Sequence, residues 1–212
     1  MITVANSISV RLASQYLTRL LSVVVLILSL SFSLTAQNRD IRLLRKINQP
    51  VNIGLDKSMC IVSGSVAPMM ITVPVAIFAV NYAQTHSLIE RKQPYIICAA
   101  LAGTTIITFG LKYGVNRPRP FVTYPDIIQK DQNVGPHSFP SGHTSSAFSL
   151  ATAVTLCYPK WYVAVPAFAW AVTVGYSRIR LGVHFPTDVL VGAIIGSSCS
   201  IASYYISRRI WQ

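Results

Sequence analysis

Acidic side chains are scarce in this chain. Six Asp and Glu stand against 18 Lys and Arg, giving a formal net charge of +12 over 212 residues. Charged residues of both signs make up only 11%, against roughly 25% in soluble domains, which excludes an ordinary water-soluble globule. Cysteine is equally sparse. Cys60, Cys98, Cys157 and Cys199 form no CxxC pair and lie in or beside apolar runs, so they are expected as small buried hydrophobes rather than a disulfide framework or zinc site. No internal repeat, low-complexity tract or run of alternating residues is present, which excludes solenoids and a membrane β-barrel. The excess of cations suggests an anionic partner. The basic residues, however, sit in gaps between apolar runs and form no stripe interleaved with aromatics, which excludes nucleic acid as that partner.

What the chain has in abundance is apolar sequence, 52% of its residues. Six stretches free of Lys, Arg, Asp and Glu are long enough to address the roughly 30 Å hydrocarbon layer. They are Leu20–Asn38, Ser58–Ile89 with a helix near Val62–Tyr82, Gln93–Leu111, Thr144–Pro159, Trp161–Ser177 and Val189–Ser207. The fold class this predicts is all-α, a polytopic membrane helix bundle of five or six transmembrane helices. Residues 1–37 read two ways. They are either a signal peptide, since Ala36 suits a cleavage position although Leu34 is larger than the residue expected two before it, or a retained first transmembrane helix. Residues 38–212 form the membrane domain in both readings.

Charge placement sets the orientation. With the N-terminus in the cytoplasm, Glu90, Arg91, Lys92, Lys160, Arg208 and Arg209 fall inside. Lys112, Arg117, Arg119, Lys130, Arg178 and Arg180 fall outside, against the usual bias of positive residues toward the inside. A need for cations on the outer face explains the violation. The Arg39–Lys57 segment also lies outside. Within it Ile41, Leu44 and Ile47 share one helical face and Arg42, Arg45 and Lys46 the other, the pattern of an interfacial amphipathic helix.

Three polar blocks interrupt the apolar chain, all on the outer face. The first is Lys112 to Pro120, the second Phe139 to Thr144, the third Ser177 to Asp188. Lys112, Arg119 and Arg178 are cations near a bilayer, where charge is costly and marks function. Arginine forks and a lysine point charge suit a tetrahedral oxyanion. Pro140-Ser141-Gly142-His143 reads as a turn feeding a helix N-terminus, whose free amides and dipole favour an anion, with Gly142 admitting close backbone approach. His184 and Asp188 are four apart, and Pro186 between them suits the first turn of a helix. Asp188 then shares a face with His184 and can hold one imidazole nitrogen while the other attacks. His143 is the second imidazole, suited to protonate a leaving oxygen near neutral pH. His86 and His137 read as polar loop residues. Residues 121–139, with Tyr124, Asp126, Lys130 and His137, are placed to cap the site.

These blocks resemble the three signature motifs of the type 2 phosphatidic acid phosphatase superfamily, which also occur in vanadium haloperoxidases. Lys112 is followed after six residues by Arg119-Pro120. Pro140 to His143 gives Pro-Ser-Gly-His. Ser177-Arg178, His184 and Asp188 complete the third motif. The resemblance implies a membrane lipid phosphatase that works through a phosphohistidine at His184 oriented by Asp188, with His143 as acid to the leaving group. It implies that Lys112, Arg119, Ser141, Gly142 and Arg178 hold the phosphate. Neither metal nor cofactor is implied, in keeping with only three carboxylates between residues 112 and 188. The substrates implied are phospholipid, polyprenyl or lipid A phosphates: phosphatidic acid, phosphatidylglycerophosphate, undecaprenyl diphosphate or a lipid A phosphate. The expected setting is a bacterial inner membrane with the site facing the periplasm. Phosphotransfer to an alcohol and non-catalytic phospholipid binding remain alternatives, the latter opposed by the intact His184 and Asp188. Vanadate-dependent halogenation belongs to larger soluble relatives.

Overall fold

The computed structural model describes residues 34–84, 88–131 and 134–210. The chain divides into two compact units, Met1–Asp40 and Ile41–Gln212. Of the first, the described part is residues 34–40, which are helical. The first apolar run of the sequence therefore lies, up to residue 33, outside the described residues.

Eight helices are present among the described residues. They are α1 (Leu34–Ile47), α2 (Ile53–Gly64), α3 (Val66–Gln84), α4 (Leu88–Val115), α5 (Pro120–Thr123), α6 (Gly142–Cys157), α7 (Trp161–Arg180) and α8 (Pro186–Ile210). The described residues contain no β-strand beyond an isolated bridge between Pro118 and His137. The expected all-α class holds. Three helices are long and apolar enough to cross a membrane, over Val66–Ala83, Lys92–Val115 and Pro186–Ile210. Large apolar side chains on these helices point outward, among them Ile71, Val75, Ile106, Phe109 and Leu190. Burial against protein is not what keeps them from water, so lipid is the solvent that suits them. α6 and α7 fill the two positions between α4 and α8 where the sequence places its fourth and fifth spans.

The sequence expects one helix over Val62–Tyr82; the structure divides it at Ser65 into α2 and α3. Pro68 has no N–H to offer the carbonyl four residues back, at Gly64. Ser65 bends the chain there, its hydroxyl donating to the Val62 carbonyl at 2.6 Å. The expected amphipathic pattern after Asp40 is also present, but its apolar face meets protein. Ile41 and Leu44 are buried with Ile127, Ile179 and Phe185, and Ile47 packs against the same cluster. Arg45 points outward and pairs with Asp126 at 2.7 Å. The cysteine expectation holds for Cys157, which is buried, and fails for Cys60 and Cys98, which are exposed.

Helices α4, α6, α7 and α8 run alternately up and down. At one end, Gln93 near the start of α4 donates to the Cys157 carbonyl at the end of α6 (3.2 Å). At the other, the Ser141 amide at the start of α6 donates to the Asp188 carbonyl at the start of α8 (3.0 Å). The closest contact is α6 on α8, and glycine permits it. A Cβ on Gly196 would stand 2.1 Å from the Ser145 carbonyl oxygen, and one on Gly192 2.8 Å from that of Ser141. This small-xxx-small spacing brings the two backbones together. A hydroxyl pair, Ser149–Ser200, crosses the same seam at 3.0 Å, and Thr104 of α4 donates to the Ser149 hydroxyl at 3.0 Å, tying α4 to it. The seam fixes how the helix ends that carry the three polar blocks lie against one another.

Candidate active site

All three blocks meet at the end of the bundle where α4 and α7 finish and α6 and α8 begin. Lys112, in the last turn of α4, donates through Nζ to the carbonyls of His137 and Pro140, both at 3.1 Å. Arg119 is the N-cap of α5. Its Nη1 donates to the Val183 carbonyl at 2.7 Å, and its Nε reaches the Gly135 carbonyl. Segment 134–140 thus lies against the site, as the sequence reading of 121–139 expects. Ser141 is the buried N-cap of α6, and His143 stands in that helix's first turn. Above Gly142 an added Cβ would meet only the Thr108 methyl at 3.8 Å, so the protein itself leaves that backbone open to approach.

The α7–α8 connection carries His184. It is short, and the amides of Val183 and His184 fold back onto the Arg178 carbonyl. Gly182 makes this possible with φ +74, and a Cβ there would stand 2.3 Å from the Ile128 carbonyl oxygen. Only glycine meets both demands. Pro186 opens α8 as predicted. His184 is 2% exposed, and its Nε2 faces the Arg119 Nη1 at 3.3 Å. A guanidinium can only donate, so Nε2 is the unprotonated acceptor and the proton of the neutral ring sits on Nδ1. That nitrogen is 3.6 Å from Asp188 Oδ2 and has no hydrogen-bond partner. The sequence places Asp188 as the orienter of His184. The structure gives the correct direction at a separation longer than a hydrogen bond.

Electrostatics around His184 are one-sided. Burial first, then the cations Arg178, Arg119 and Lys112 and the neighbouring His143, hold its pKa well below the ordinary imidazole value. Burial, followed by Arg178, pushes the Arg119 guanidinium down to about 10, with Asp188 and Asp131 working the other way; it remains a cation at neutral pH. Arg178 is 1% exposed. Its Nη1 donates to Asp131 at 3.0 Å and to the hydroxyl of Ser63, while its Nε is buried without a partner. Leaving a buried donor unsatisfied costs about 1–3 kcal/mol. The orphaned Nε of Arg178 and Nδ1 of His184 are thus unused hydrogen-bonding capacity, one on each side of the site.

Three side chains here carry no site role in the sequence reading: Ser63, Asp131, and Arg117, which it names only as an outer cation. Arg117 pairs with Asp188 at 2.7 Å. Ser63 comes from a helix distant in sequence and carries no local signal. Arg180 and Lys130, grouped with the outer cations by sequence, instead serve the framework. Both pair with the buried Asp56, at 2.9 and 3.4 Å. Among the described residues no group of three or more His, Cys, Asp or Glu is arranged to hold a metal ion.

The fold and site together define an integral membrane helical bundle with a cationic pocket built around a histidine. The chain belongs to the PAP2 superfamily, which matches residues 93–212. Its relatives include a lipid A 4'-phosphatase of Bacteroides thetaiotaomicron, 34% identical over 36% of this chain and 34% of the relative. An undecaprenyl-diphosphatase of Sulfolobus acidocaldarius is 35% identical over 45% and 46%. The chain thus spans between about a third and a half of the length of these curated relatives. Among solved structures, Aquifex aeolicus LpxE matches with a TM-score of 0.69 and 29% identity, over 77% of this chain and 93% of that one. A transmembrane PAP2-type phosphatidylglycerolphosphate phosphatase from Bacillus subtilis matches in fold, with a TM-score of 0.73 and 21% identity over 91% and 96%.

Proposed function

We propose that the protein is a metal-independent phosphatase acting on a lipid phosphate or diphosphate at the outer face of the membrane, through a phosphohistidine on His184. The observation that carries this reading is the His184 ring itself. It is buried and neutral, with its Nε2 facing the Arg119 guanidinium at 3.3 Å and with Arg178 and Lys112 acting on it electrostatically. Such a ring is a poor general base for bulk water and a well-placed nucleophile for a bound phosphate.

The steps follow from these positions. Phosphate oxygens take up the Nε of Arg178 and the donors of Arg119 and Lys112, which exchange their carbonyl partners for the stronger charged acceptor. The Gly142 backbone and the positive end of α6 add neutral stabilisation, with Ser141 holding that helix start in place through the hydrogen bond from its amide to the Asp188 carbonyl. Burial, then the cations Arg178, Arg119 and Lys112 against the opposing Asp131, hold the His143 imidazole pKa down to about 4, so it serves as an acid only once the bound phosphate anion offsets those cations and raises its pKa. Nε2 then forms a bond to phosphorus as the bond to the leaving oxygen breaks, and His143 donates a proton to that oxygen. The ring then carries positive charge, balanced by Asp188 as the Nδ1–Oδ2 separation closes. Water deprotonated by His143 attacks phosphorus, the N–P bond breaks, and inorganic phosphate leaves. Pocket cations that strengthen as charge builds on the equatorial oxygens lower the barrier.

Substrate class follows from the setting and the relatives. The pocket opens at the end of a bundle whose flanks are apolar, so a phosphate carried on a lipid reaches it from the bilayer. Relatives named for lipid A and for undecaprenyl diphosphate support both a monoester and a diphosphate. Lys160, Arg208 and Arg209 at the other end mark the inside, and the cations at this end run against that bias because they serve the phosphate, a reading that makes the site outward and periplasmic.

The test is phosphate release by detergent-purified protein from a panel of lipid phosphates and diphosphates in excess EDTA, with His184→Ala alongside. Wild type is expected to turn over at least one lipid, and His184→Ala to fall by at least about a thousandfold. Comparable turnover by the variant refutes the nucleophile. Loss in EDTA restored by Mg²⁺ refutes metal independence.

A further inference from the structure

Arg117 is not among the residues proposed to hold phosphate and is not a specified position of the first motif, Lys112 to Pro120, yet its surroundings are specific. Its Nη1 donates to Asp188 Oδ1 at 2.7 Å and to the Thr187 hydroxyl at 2.9 Å. Its guanidinium carbon stacks 3.9 Å from the centre of the Phe185 ring. These three contacts fall on residues 185–188, immediately after His184. The backbone that presents Arg117 is pinned in turn, since its carbonyl accepts from the amide and hydroxyl of Ser138 at 2.8 and 3.2 Å. Arg117 and Arg119 are two apart in a segment bridged to His137, so both side chains project to one side. Arg119 reaches the reactive nitrogen of His184, and Arg117 reaches the carboxylate behind it.

Asp188 explains why that matters. It is wholly buried, and a carboxylate there stays ionised only when paired and hydrogen-bonded. Its two oxygens are divided. Oδ2 accepts the Phe185 amide at 2.9 Å and is the oxygen that faces His184 Nδ1. Oδ1 accepts from Arg117, and the Ser138 hydroxyl is a further neighbour that favours the ionised carboxylate. The Arg117 bond therefore sets the rotation of the carboxylate and supplies its counter-charge from the side away from the imidazole.

We propose that Arg117 is a positioning residue for the phosphotransfer step, acting through Asp188 as the far member of an Arg117–Asp188–His184 relay. When the Nε2–P bond forms and the leaving oxygen takes its proton from His143, the proton on Nδ1 stays and the ring becomes a cation. Asp188 balances that cation only as an anion with Oδ2 aimed at Nδ1, which is the state Arg117 holds. The inference rests on the nucleophile reading of His184, and it assigns Arg117 an effect on the chemical step rather than on phosphate binding.

The experiment is a double-mutant cycle, reading kcat and KM for release of ³²P from a labelled lipid phosphate so that low residual turnover is countable. Arg117→Gln is expected to lower kcat by about 10–100-fold, the range seen when the partner orienting a functional histidine is lost. KM should stay within about threefold, and Arg117→Lys, which keeps the charge, should fall between. In an Asp188→Asn background the same Arg117→Gln change should cost less than about threefold, because the group it acts through is gone. Equal losses in both backgrounds, or a loss confined to KM, overturn the inference. Should Arg117→Gln not yield folded protein, Arg117→Lys carries the same cycle. His184→Ala separates the two levels. If it stays active, the nucleophile reading fails and the relay with it. If it is dead while Arg117 and Asp188 effects are additive, only the relay fails.

Discussion

Replacing Gly196 by Ala adds one methyl where α6 and α8 touch, and the structure fixes what that methyl meets. Its Cβ would lie 2.1 Å from the Ser145 carbonyl oxygen, 2.8 Å from the Ser149 amide nitrogen and 3.0 Å from the Ser145 carbonyl carbon. These are backbone atoms of a helix and cannot swing aside, so the two helices must part by about 1 Å to restore ordinary contact. Overpacking of this kind costs about 1–3 kcal/mol, against which Ala regains about 1 kcal/mol of helix propensity. The functional cost is larger than the stability cost. Gly196 lies two turns below Asp188 and Ser145 one turn below Ser141, and the Ser141 amide is bonded to the Asp188 carbonyl at 3.0 Å. Parting the seam separates the start of α6, proposed to cradle the phosphate, from His184, the proposed nucleophile just before α8. A displacement of about 1 Å between reacting groups can cost about 100-fold in rate. The assay is kcat/KM in detergent beside thermal unfolding. Gly103→Ala is the control, because nothing lies within 4 Å of an added Cβ there. Gly196→Ala should lose at least about tenfold in kcat/KM and melt several degrees lower, roughly 2–4 °C per kcal/mol for a chain of this size. Gly103→Ala should be neutral or slightly stabilised. Matching behaviour of the two variants would refute the close-seam argument.

Two further outcomes are expected. Burial and the cations Arg178, Arg119 and Lys112 lower the pKa of His184, so its neutral, nucleophilic form persists as pH falls; the acid limb of kcat/KM assigned to the free enzyme should lie below pH 6.5, and a limb above it would contradict the one-sided field. Asp56→Ala strips the shared partner from Arg180 and Lys130, each with a side chain 5% exposed; unfolding in detergent should show a loss of about 3–5 kcal/mol, with kcat/KM of the folded fraction within about threefold of wild type, and unchanged stability would show the network to be incidental.

The sequence alone determined the solvent and the chemistry of this protein. Long runs without charge admit only helices that satisfy their own backbone, and five such runs are helices in the structure. The residue types in the three polar blocks suit a tetrahedral oxyanion, because arginine forks, a lysine and a helix start all favour one, and their spacing matches the motifs of the family. The α1 pattern and the proline start of α8 were also legible, since both rest on local periodicity and local backbone restriction.

Tertiary structure decided everything that depends on which distant residues meet. Pro68 and Ser65 divided a run that hydropathy reads as continuous, because a missing N–H does not register on an apolarity scale. The partner of the α1 apolar face, protein core rather than lipid, is not encoded in the face itself. Gly192 and Gly196 look like ordinary membrane glycines until Ser141 and Ser145 are seen lying against them. The outer cations, alike in sequence, parted into those that face the imidazole and those that tie Asp56 into the framework. Asp131 and Ser63 behind Arg178, and Arg117 behind Asp188, became visible only once the ends of four helices were brought together. A side chain's charge is written in the sequence, but the direction in which that charge acts is set by the chain that folds around it.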